Sequence, residues 1–425
     1  MSVTAIVGGN WGDEGKGKMT DLLAKEADYV VRFQGGNNAG HTIINSFGKF
    51  QLHLLPSGVF YKKCINVLGT GVALNIEAFL DEFNDLLDRG VPKPKIIISD
   101  KIQLVLPHHI LLDKYEEEKL GEEKFGSTES GIAPFYADKY YKIGIRISDL
   151  FEEKTLLKKI KTNIAKKNIL LERYYNKPLL IAEEIYDYLY DLRMKIAPFI
   201  TDTSKELNFA LENNKTILME AQLGALKDPD HGIYPFTTSS STLSGFASVG
   251  AGIPACRIEK VVTVVKAYST CVGAGTFVSE IFDSEADELR ELGGDCGEYG
   301  ATTGRARRVG WFDVVATKYG CMIQGTNEVA LTLLDVLGYL EEIPVCVAYS
   351  VDGQIINDFP GSCILNKATP VIKKLKGWNR NISAVRKYDD LPIEAKEYVS
   401  FIESQLGYPV KYISVGPDRD AIIYK

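Results

Sequence analysis

The chain has 425 residues, of which 45% are hydrophobic and 25% are charged, and its formal net charge is −7. These values are typical of a globular protein with a large core, built either as two or three average domains or as one large α/β domain. The negative charge argues against broad binding to nucleic acid, which requires a basic face. No apolar run reaches transmembrane length and no leader precedes the first predicted strand, so we expect a cytoplasmic protein. The seven cysteines are scattered without a C-x-x-C pair, as reduced structural thiols are.

The first predicted strand, 3–7, leads into a glycine-rich loop and then into a predicted helix that begins near residue 19. This layout forms a cradle for phosphate, because glycines let backbone N–H groups approach phosphate oxygens and the helix contributes the positive end of its dipole. The P-loop pattern G-x-x-x-x-G-K is met from Gly12 to Lys18, but Met19 replaces the usual Mg²⁺-binding Ser or Thr. The loop also contains Asp13 and Glu14, and we expect a carboxylate there to hold a metal or to move a proton.

A second predicted strand, 28–34, ends at another glycine-rich segment, 35–42. Predicted helices such as 76–89 alternate with further apolar runs, which implies a mostly parallel, buried sheet. Both glycine-rich loops should then line one crevice at the carboxyl ends of the strands. The further strands are predicted over 65–68, 95–98, 216–219, 261–265, 330–333, 345–349 and 411–414.

Between residues 100 and 213 the composition shifts to lysine, glutamate and tyrosine at helical spacing. We interpret 100–213 as a helix-rich insertion within a single domain that spans 1–425. Its charge runs are most simply solvated helix faces. The predicted fold class is α/β: a P-loop-like fold with a large, mostly parallel central sheet flanked by helices.

Four later segments are more polar than a scaffold requires. The hydroxyl-rich segments 126–131 and 237–242 are suited to bind a phosphate, although each alone could be a turn or a helix cap. Three arginines in 300–308 are suited to clamp a carboxylate or phosphate, because each guanidinium offers a planar fork of donors. Asp335 and the turn that starts at Ser414 each follow a predicted strand, and a lone carboxylate can accept from the two adjacent N–H donors of a guanine edge.

In this order and across the whole chain, six segments closely resemble those of adenylosuccinate synthetases: 11–18, 38–42, 230–232, 266–270, 300–305 and 416–419. The resemblance implies a P-loop-like fold and a homodimeric enzyme that joins L-aspartate to IMP with GTP. It implies that Asp13 takes the proton from N1 of IMP, so that the 6-oxygen attacks the γ-phosphate, and that His41 stabilises the transferred phosphoryl group. The amine of aspartate then displaces phosphate. One Mg²⁺ per subunit would be held by Asp13 and the carbonyl of Gly40.

The resemblance also assigns binding residues for each substrate. For GTP they are Gly12, Glu14, Gly15, Lys16, Gly17, Lys18, Gly40, His41, Thr42, Leu333, Asp335, Ser414, Val415 and Gly416. For IMP they are Asp13, Lys16, Asn38, Ala39, Thr128, Lys142, Gln222, Leu223, Thr238 and Arg305, with Lys142 supplied by the partner subunit. For aspartate they are Ala301, Thr302, Thr303, Gly304, Arg305 and Arg307.

The chain departs from the family pattern around the nucleotides. Lys142 replaces an arginine and loses its bidentate fork. Leu223 stands where the family has a glutamine, and Gln222 lies one residue early, where a strand would turn its side chain to the other face. Glu129 enters the threonine loop, and Leu333 replaces a lysine that covers guanine. These changes leave open a paralogue that uses a different 6-oxopurine nucleotide, or a regulatory nucleotide-binding protein without ligase activity.

Overall fold

A ten-stranded sheet forms the centre of the structure, a computed structural model that describes residues 3–294, 297–300 and 304–425. The strands of this part of the chain are β1 Val3–Gly8, β2 Tyr29–Arg32, β3 His41–Asn45, β4 Gly48–Leu52, β5 Ile65–Leu68, β6 Ala73–Leu74, β7 Lys95–Ser99, β8 Gln103–Leu104, β9 Ile200–Thr201, β10 Ile217–Glu220, β11 Ile258–Lys266, β12 Ser269–Cys271, β13 Arg308–Gly310, β14 Phe312–Asp313, β15 Glu328–Thr332, β16 Glu342–Val351, β17 Gln354–Ile356, β18 Thr369–Lys376, β19 Val410–Ser414 and β20 Ile422–Tyr424. The α-helices are α1 Lys16–Ala24, α2 Ile76–Asp88, α3 Pro107–Leu120, α4 Ile132–Tyr140, α5 Glu153–Leu170, α6 Ala182–Ile196, α7 Thr203–Glu212, α8 Gly245–Ala251, α9 Asp283–Leu292, α10 Val314–Gln324, α11 Ser362–Leu365 and α12 Ile393–Leu406.

The strand order of the large sheet is β20-β19-β15-β11-β1-β10-β2-β5-β7-β9. Every neighbouring pair is parallel except β19 and β20, which are antiparallel. β1 lies between β10 and β11, and all six of its residues are buried, because helices cover both faces of a parallel sheet. The predicted α/β fold with a mostly parallel central sheet is confirmed.

The predicted strands form as expected, with one difference in placement. The run 345–349 lies in β16, which belongs to a separate sheet with β14, β17 and β18. An apolar run indicates burial, but burial alone does not specify which sheet a strand joins. The remaining predicted strands all lie in the ten-stranded sheet.

The segment 100–213 contains α3 to α7, and its short strand β9 returns to the edge of the large sheet beside β7. We propose that this segment is an insertion into one domain. Among the described residues, no helix combines the length and the apolar character needed to cross a bilayer.

The carboxyl ends of the central strands position the functional site. The loops after β1, β2, β10, β11, β15 and β19 all leave the sheet at this edge, since these strands are parallel neighbours. Ligands of open α/β sheets bind in a crevice at such an edge. The hairpin of β3 and β4 lies there too, because β3 begins at His41, shortly after β2 ends.

Candidate active site

The loop between β1 and α1 bends through left-handed backbone conformations. Gly12 has φ 103° and Gly15, the residue before α1, has φ 94°, values that glycine adopts without a steric penalty. Asp13 between them has φ 60°, which is uncommon for a residue with a side chain. The absence of a side chain at Gly17 lets the β3–β4 hairpin pack against α1, because a Cβ at this position would lie 2.6 Å from the Cβ of His41. Asp13 in this loop and His41 at the start of β3 therefore both lie beside the first turn of α1.

The two acidic residues of this loop have different roles. The Glu14 side chain is buried, and its carboxylate accepts from the N–H groups of Asn10 at 3.1 Å and Gly12 at 2.8 Å and from the Lys16 ammonium at 2.5 Å. Glu14 thus fixes the shape of the loop, while Asp13 keeps a partly exposed carboxylate beside the cavities. Met19, at the position of the usual Ser or Thr, is fully buried in a core cluster with Ile6 and Val262 and lines neither cavity.

Two cavities flank Asp13. The smaller cavity encloses about 280 Å³ and the larger cavity about 630 Å³. Both are lined by Asp13, Ala39, Gly40, Leu223 and Gly300, so they meet at these residues. A group bound in one cavity can therefore react with a group bound in the other beside the Asp13 carboxylate.

The smaller cavity is lined by most of the predicted GTP-binding residues: Glu14, Gly15, Lys16, Gly17, Lys18, Gly40, His41, Thr42, Leu333, Ser414 and Gly416. Gly12 lines the larger cavity instead, and Val415 is fully buried behind the wall. Lys18 fixes the far wall, because its ammonium donates to Ser414 Oγ at 2.8 Å and to the carbonyl of Gly416 at 2.6 Å. Burial lowers the pKa of Lys18 to about 7. Lys16 and Lys18 are thus held by protein acceptors on either side of the cavity.

Asp335 lies just beyond β15, two residues after Leu333, and itself lines neither cavity. Its Oδ1 is buried without a hydrogen-bond partner among the described residues, and burial raises its pKa, an effect that Lys18 partly offsets. A buried carboxylate oxygen without a partner is costly, so a ligand with N–H donors would satisfy it. The Asp335 carboxylate is therefore suited to a guanine edge, and its contact with GTP stays a prediction.

Replacing Asp335 with asparagine should raise the KM for GTP by about two orders of magnitude, because an amide presents a donor where guanine also presents donors. The same variant should gain activity with XTP, whose 2-oxygen accepts from the amide. Steady-state kinetics with GTP, XTP and ATP will measure both effects. The matched control is Asp420→Asn, which neutralises an exposed carboxylate nearby. Equal GTP kinetics in the two variants would contradict guanine recognition by Asp335.

His41 stands on a buried support. Its Nδ1 lies 2.6 Å from Glu220 Oε1, and Glu220 also accepts from Ser57 N at 2.8 Å and Ser57 Oγ at 2.5 Å. Burial lowers the pKa of His41, and the neighbouring Glu220 offsets this only in part. The His41 Nε2 is left without a hydrogen-bond partner among the described residues. Because Nδ1 faces the carboxylate, Nε2 is the nitrogen available to a ligand.

Asp13 faces an arginine across the junction of the cavities. Arg307 Nε lies 2.8 Å from Asp13 Oδ2, and Arg307 Nη1 lies 2.6 Å from Glu298 Oε2. Glu298 is buried and also binds Lys266 at 2.8 Å. Burial would raise the pKa of Glu298, but the charges of Lys266 and Arg307 hold it at about 2. Glu298 and Lys266 were not predicted as site residues. The sequence pattern around Glu298 does not indicate a function by itself, and only the fold brings the two together.

The larger cavity is lined by the predicted IMP-binding residues Asp13, Asn38, Ala39, Thr128, Leu223 and Thr238. α3 supports the threonine loop, because Glu117 Oε2 accepts from the N–H groups of Gly126 at 2.9 Å and Ser127 at 3.0 Å. Asp113, one turn earlier, accepts from Ser127 Oγ at 2.9 Å. The loop that carries Thr128 is thus held by two carboxylates of one helix.

Several predicted residues lie away from the cavities. The Gln222 side chain is fully buried and bonds to backbone atoms, so in this structure it is not free to contact IMP. Gly304, Arg305 and Lys142 are exposed and line neither cavity; Arg305 Nη1 reaches the carbonyl of Gly126 at 3.4 Å. Lys16 lines the smaller cavity rather than the larger. The predicted aspartate-binding residues Ala301, Thr302 and Thr303 lie outside the described residues.

The oxygen donors at the junction fit Mg²⁺. The Asp13 carboxylate and the Gly40 backbone line both cavities, and hard oxygen ligands are those that Mg²⁺ prefers. A buried cluster of His108, His109 and Asp138 also brings possible ligands together. However, the N–H of Leu106 donates to His109 Nδ1 at 3.0 Å, which leaves the ring proton on Nε2, and Asp138 is bound by the Lys167 ammonium. We therefore assign this cluster to the packing of α3, α4 and α5.

The fold and the site define a nucleotide-dependent enzyme of P-loop-like architecture, with a phosphate-binding loop and a second cavity that meet at one carboxylate. The family model described as adenylosuccinate synthetase matches residues 5–423. The chain is 45% identical to the adenylosuccinate synthetase of Dehalococcoides mccartyi over 426 aligned positions, which cover 100% of both chains. It belongs to the adenylosuccinate synthetase family.

Solved structures agree with this assignment. The fully ligated adenylosuccinate synthetase from Plasmodium falciparum superposes with a TM-score of 0.92 at 38% identity, covering 100% of both chains. A cyanophage S-2L succinoaminodeoxyadenylate synthetase bound to dGMP and dATP gives a TM-score of 0.61 at 18% identity, covering 100% of this chain and 95% of the other. This second likeness shows the fold alone.

Proposed function

We propose that the chain joins L-aspartate to IMP at the expense of GTP, giving adenylosuccinate, GDP and phosphate. The observation that supports this most directly is the junction of the two cavities at Asp13. A triphosphate in the smaller cavity and a nucleotide in the larger cavity would present their reacting atoms to each other there. The relatives at about 45% identity do not favour the alternatives of a different 6-oxopurine acceptor or a non-catalytic regulator.

The first step transfers the γ-phosphoryl group to the 6-oxygen of IMP. Asp13 takes the proton from N1, the 6-oxygen forms a bond to the γ-phosphorus, and the bond from that phosphorus to the β-bridging oxygen breaks to release GDP. Lys16 and the amides of the glycine-rich loop neutralise the charge of the phosphates. His41, once its ring is protonated, donates from Nε2 to the transferred phosphoryl group. Mg²⁺, held by Asp13 and the Gly40 carbonyl, would neutralise charge on the phosphates when it is bound.

The second step forms the carbon–nitrogen bond. The amine of L-aspartate attacks C6, the bond from C6 to the phosphorylated oxygen breaks, and phosphate leaves with the proton that the amine loses. Arg307 and Arg305, with the segment 301–304, are assigned to the carboxylates of aspartate, because guanidinium groups bind carboxylates with paired hydrogen bonds. Arg307 has its Nη1 on Glu298, which leaves its other nitrogens beside the junction.

An omission experiment tests the function. Purified protein is mixed with Mg²⁺, GTP, IMP and L-aspartate, each component is left out in turn, and phosphate release and the purine ultraviolet spectrum are followed. We expect turnover only with the complete mixture. Turnover with GMP or dGMP but not with IMP would instead support a changed acceptor, and no turnover with any nucleotide would support a regulator.

We further propose a cytoplasmic homodimer. Lys142 follows α4 on an exposed turn, where it could reach the IMP phosphate of a partner subunit. The six cysteines within the described residues are free thiols, as a reducing compartment favours. Sedimentation of the purified protein, with a Lys142→Ala variant assayed for the KM of IMP, tests the shared site.

A further inference from the structure

Gln222 occupies a closed position behind the larger cavity. It follows β10 by two residues, its side chain is 0% exposed, and it lines neither cavity. Its Nε2 donates to the carbonyls of Gly36 at 2.7 Å and His53 at 2.7 Å, and its Oε1 accepts from the N–H of Gly36 at 3.0 Å. The carbonyl of Ala39 is a third acceptor near the same Nε2, at 3.4 Å. Both donors and the acceptor of the amide are therefore used by backbone atoms.

These backbone atoms lie at the two ends of one hairpin. Gly36 and Ala39 precede β3, and His53 follows β4 directly. The amide of Gln222 thus closes the base of the hairpin that carries His41. It also fixes the segment that places Asn38 beside the larger cavity and Gly40 beside both cavities.

The neighbouring glycine fits this arrangement closely. Gly35 has φ 79°, and a Cβ at this position would lie 2.0 Å from Gln222 Oε1. Only a planar amide offers two donors and one acceptor of this size, since a carboxylate lacks the donors and an aliphatic side chain lacks both. The next residue, Leu223, has φ 58° and lines both cavities, whereas Gln222 lines neither.

We propose that Gln222 is a positioning residue, which sets the shape of segment 36–40 and of the β3–β4 hairpin and thereby places the Gly40 carbonyl and His41 for phosphoryl transfer. This inference rests on the proposed function. It predicts that the amide acts on catalysis through the loop, without contact to IMP. Small displacements of reacting groups are sufficient to slow an enzyme strongly.

The test compares Gln222→Glu and Gln222→Ala with the wild type. Both variants should lower kcat by about tenfold to a hundredfold and raise the Mg²⁺ concentration needed for half-maximal rate, while the KM for IMP changes little. The matched control is Gln324→Ala, since Gln324 is another buried amide that bonds to backbone, at Gly8, Thr242 and Ser244. This control should lose thermal stability without a change in Mg²⁺ dependence.

Hydrogen–deuterium exchange separates failure of this inference from failure of the proposed function. Peptides that span 36–53 should exchange faster in Gln222→Ala than in the wild type, whether or not the protein ligates IMP. A selective rise in the KM for IMP with unchanged kcat, Mg²⁺ dependence and exchange would overturn the inference and assign the amide to the nucleotide. Equal exchange and equal Mg²⁺ dependence in wild type and variant would overturn it as well.

Discussion

Replacing Asp13 with asparagine should lower kcat by about two to four orders of magnitude, because the variant keeps the size of the side chain but removes the proton acceptor. The carboxylate stands where the two cavities meet, so it is the acid within reach of a nucleotide in either of them. The affinity for GTP should change less, because the phosphates are proposed to be held mainly by the glycine-rich loop and Lys16, which line the smaller cavity. Single-turnover assays with pre-bound GTP and IMP separate phosphoryl transfer from product release.

A suitable control for Asp13→Asn is Asp28→Asn, which neutralises a partly exposed carboxylate that pairs with Lys215 at 3.3 Å; the amide oxygen can still accept from the N–H of Thr216, which lies 2.9 Å from Asp28 Oδ2. The control should retain wild-type rates. If Asp13→Asn turned over as fast as the control, Asp13 would not be the base, and a group outside the described residues or a substrate phosphate would have to take the N1 proton.

Replacing His41 with asparagine should lower kcat by about two to three orders of magnitude, the usual cost of losing one donor to a developing charge. Burial lowers the pKa of His41, whereas the negative charge of a nearby phosphate would raise it, and only the protonated ring can donate from Nε2. Activity should accordingly fall as pH rises, and a rate profile between pH 6 and pH 9 will measure the midpoint.

Glu220→Gln provides the companion to this test. Removing the carboxylate 2.6 Å from Nδ1 removes charge that favours the protonated ring, so the pKa of His41 should fall further. The basic limb of the rate profile should therefore move to lower pH in this variant. A profile that is unchanged in Glu220→Gln would mean that the limb belongs to another group.

The sequence was sufficient to predict the architecture of the sheet, and it was less informative about individual side chains. β1 could be predicted because its run of small and β-branched residues is short and ends at glycine. α1 was predicted in type but begins at Lys16, three residues earlier than the apolar spacing from residue 19 indicated. Asp13 and His41 could be proposed because they lie within compact motifs. Glu298 and Glu220 support the site from distant positions in the chain, and only the fold brings them to Arg307 and His41.

Gln222 illustrates a further limit. The sequence places Gln222 one residue before the family's position, where a strand would turn its side chain to the other face, but it does not show which atoms the amide binds. The Gln222 amide binds backbone carbonyls of Gly36 and His53. Every residue has a backbone carbonyl, so the residue types at these positions do not reveal the contact. The positive φ of Leu223, which turns the next side chain toward the cavities, is likewise a property of the fold.

The ion pair between Arg307 and Asp13 connects two parts of the proposed active site. Arg307 Nε lies 2.8 Å from Asp13 Oδ2, and Arg307 Nη1 lies 2.6 Å from Glu298 Oε2. One guanidinium therefore belongs both to the surroundings of the proposed base and to the proposed aspartate site, and we expect a substitution of Arg307 to disturb the two together.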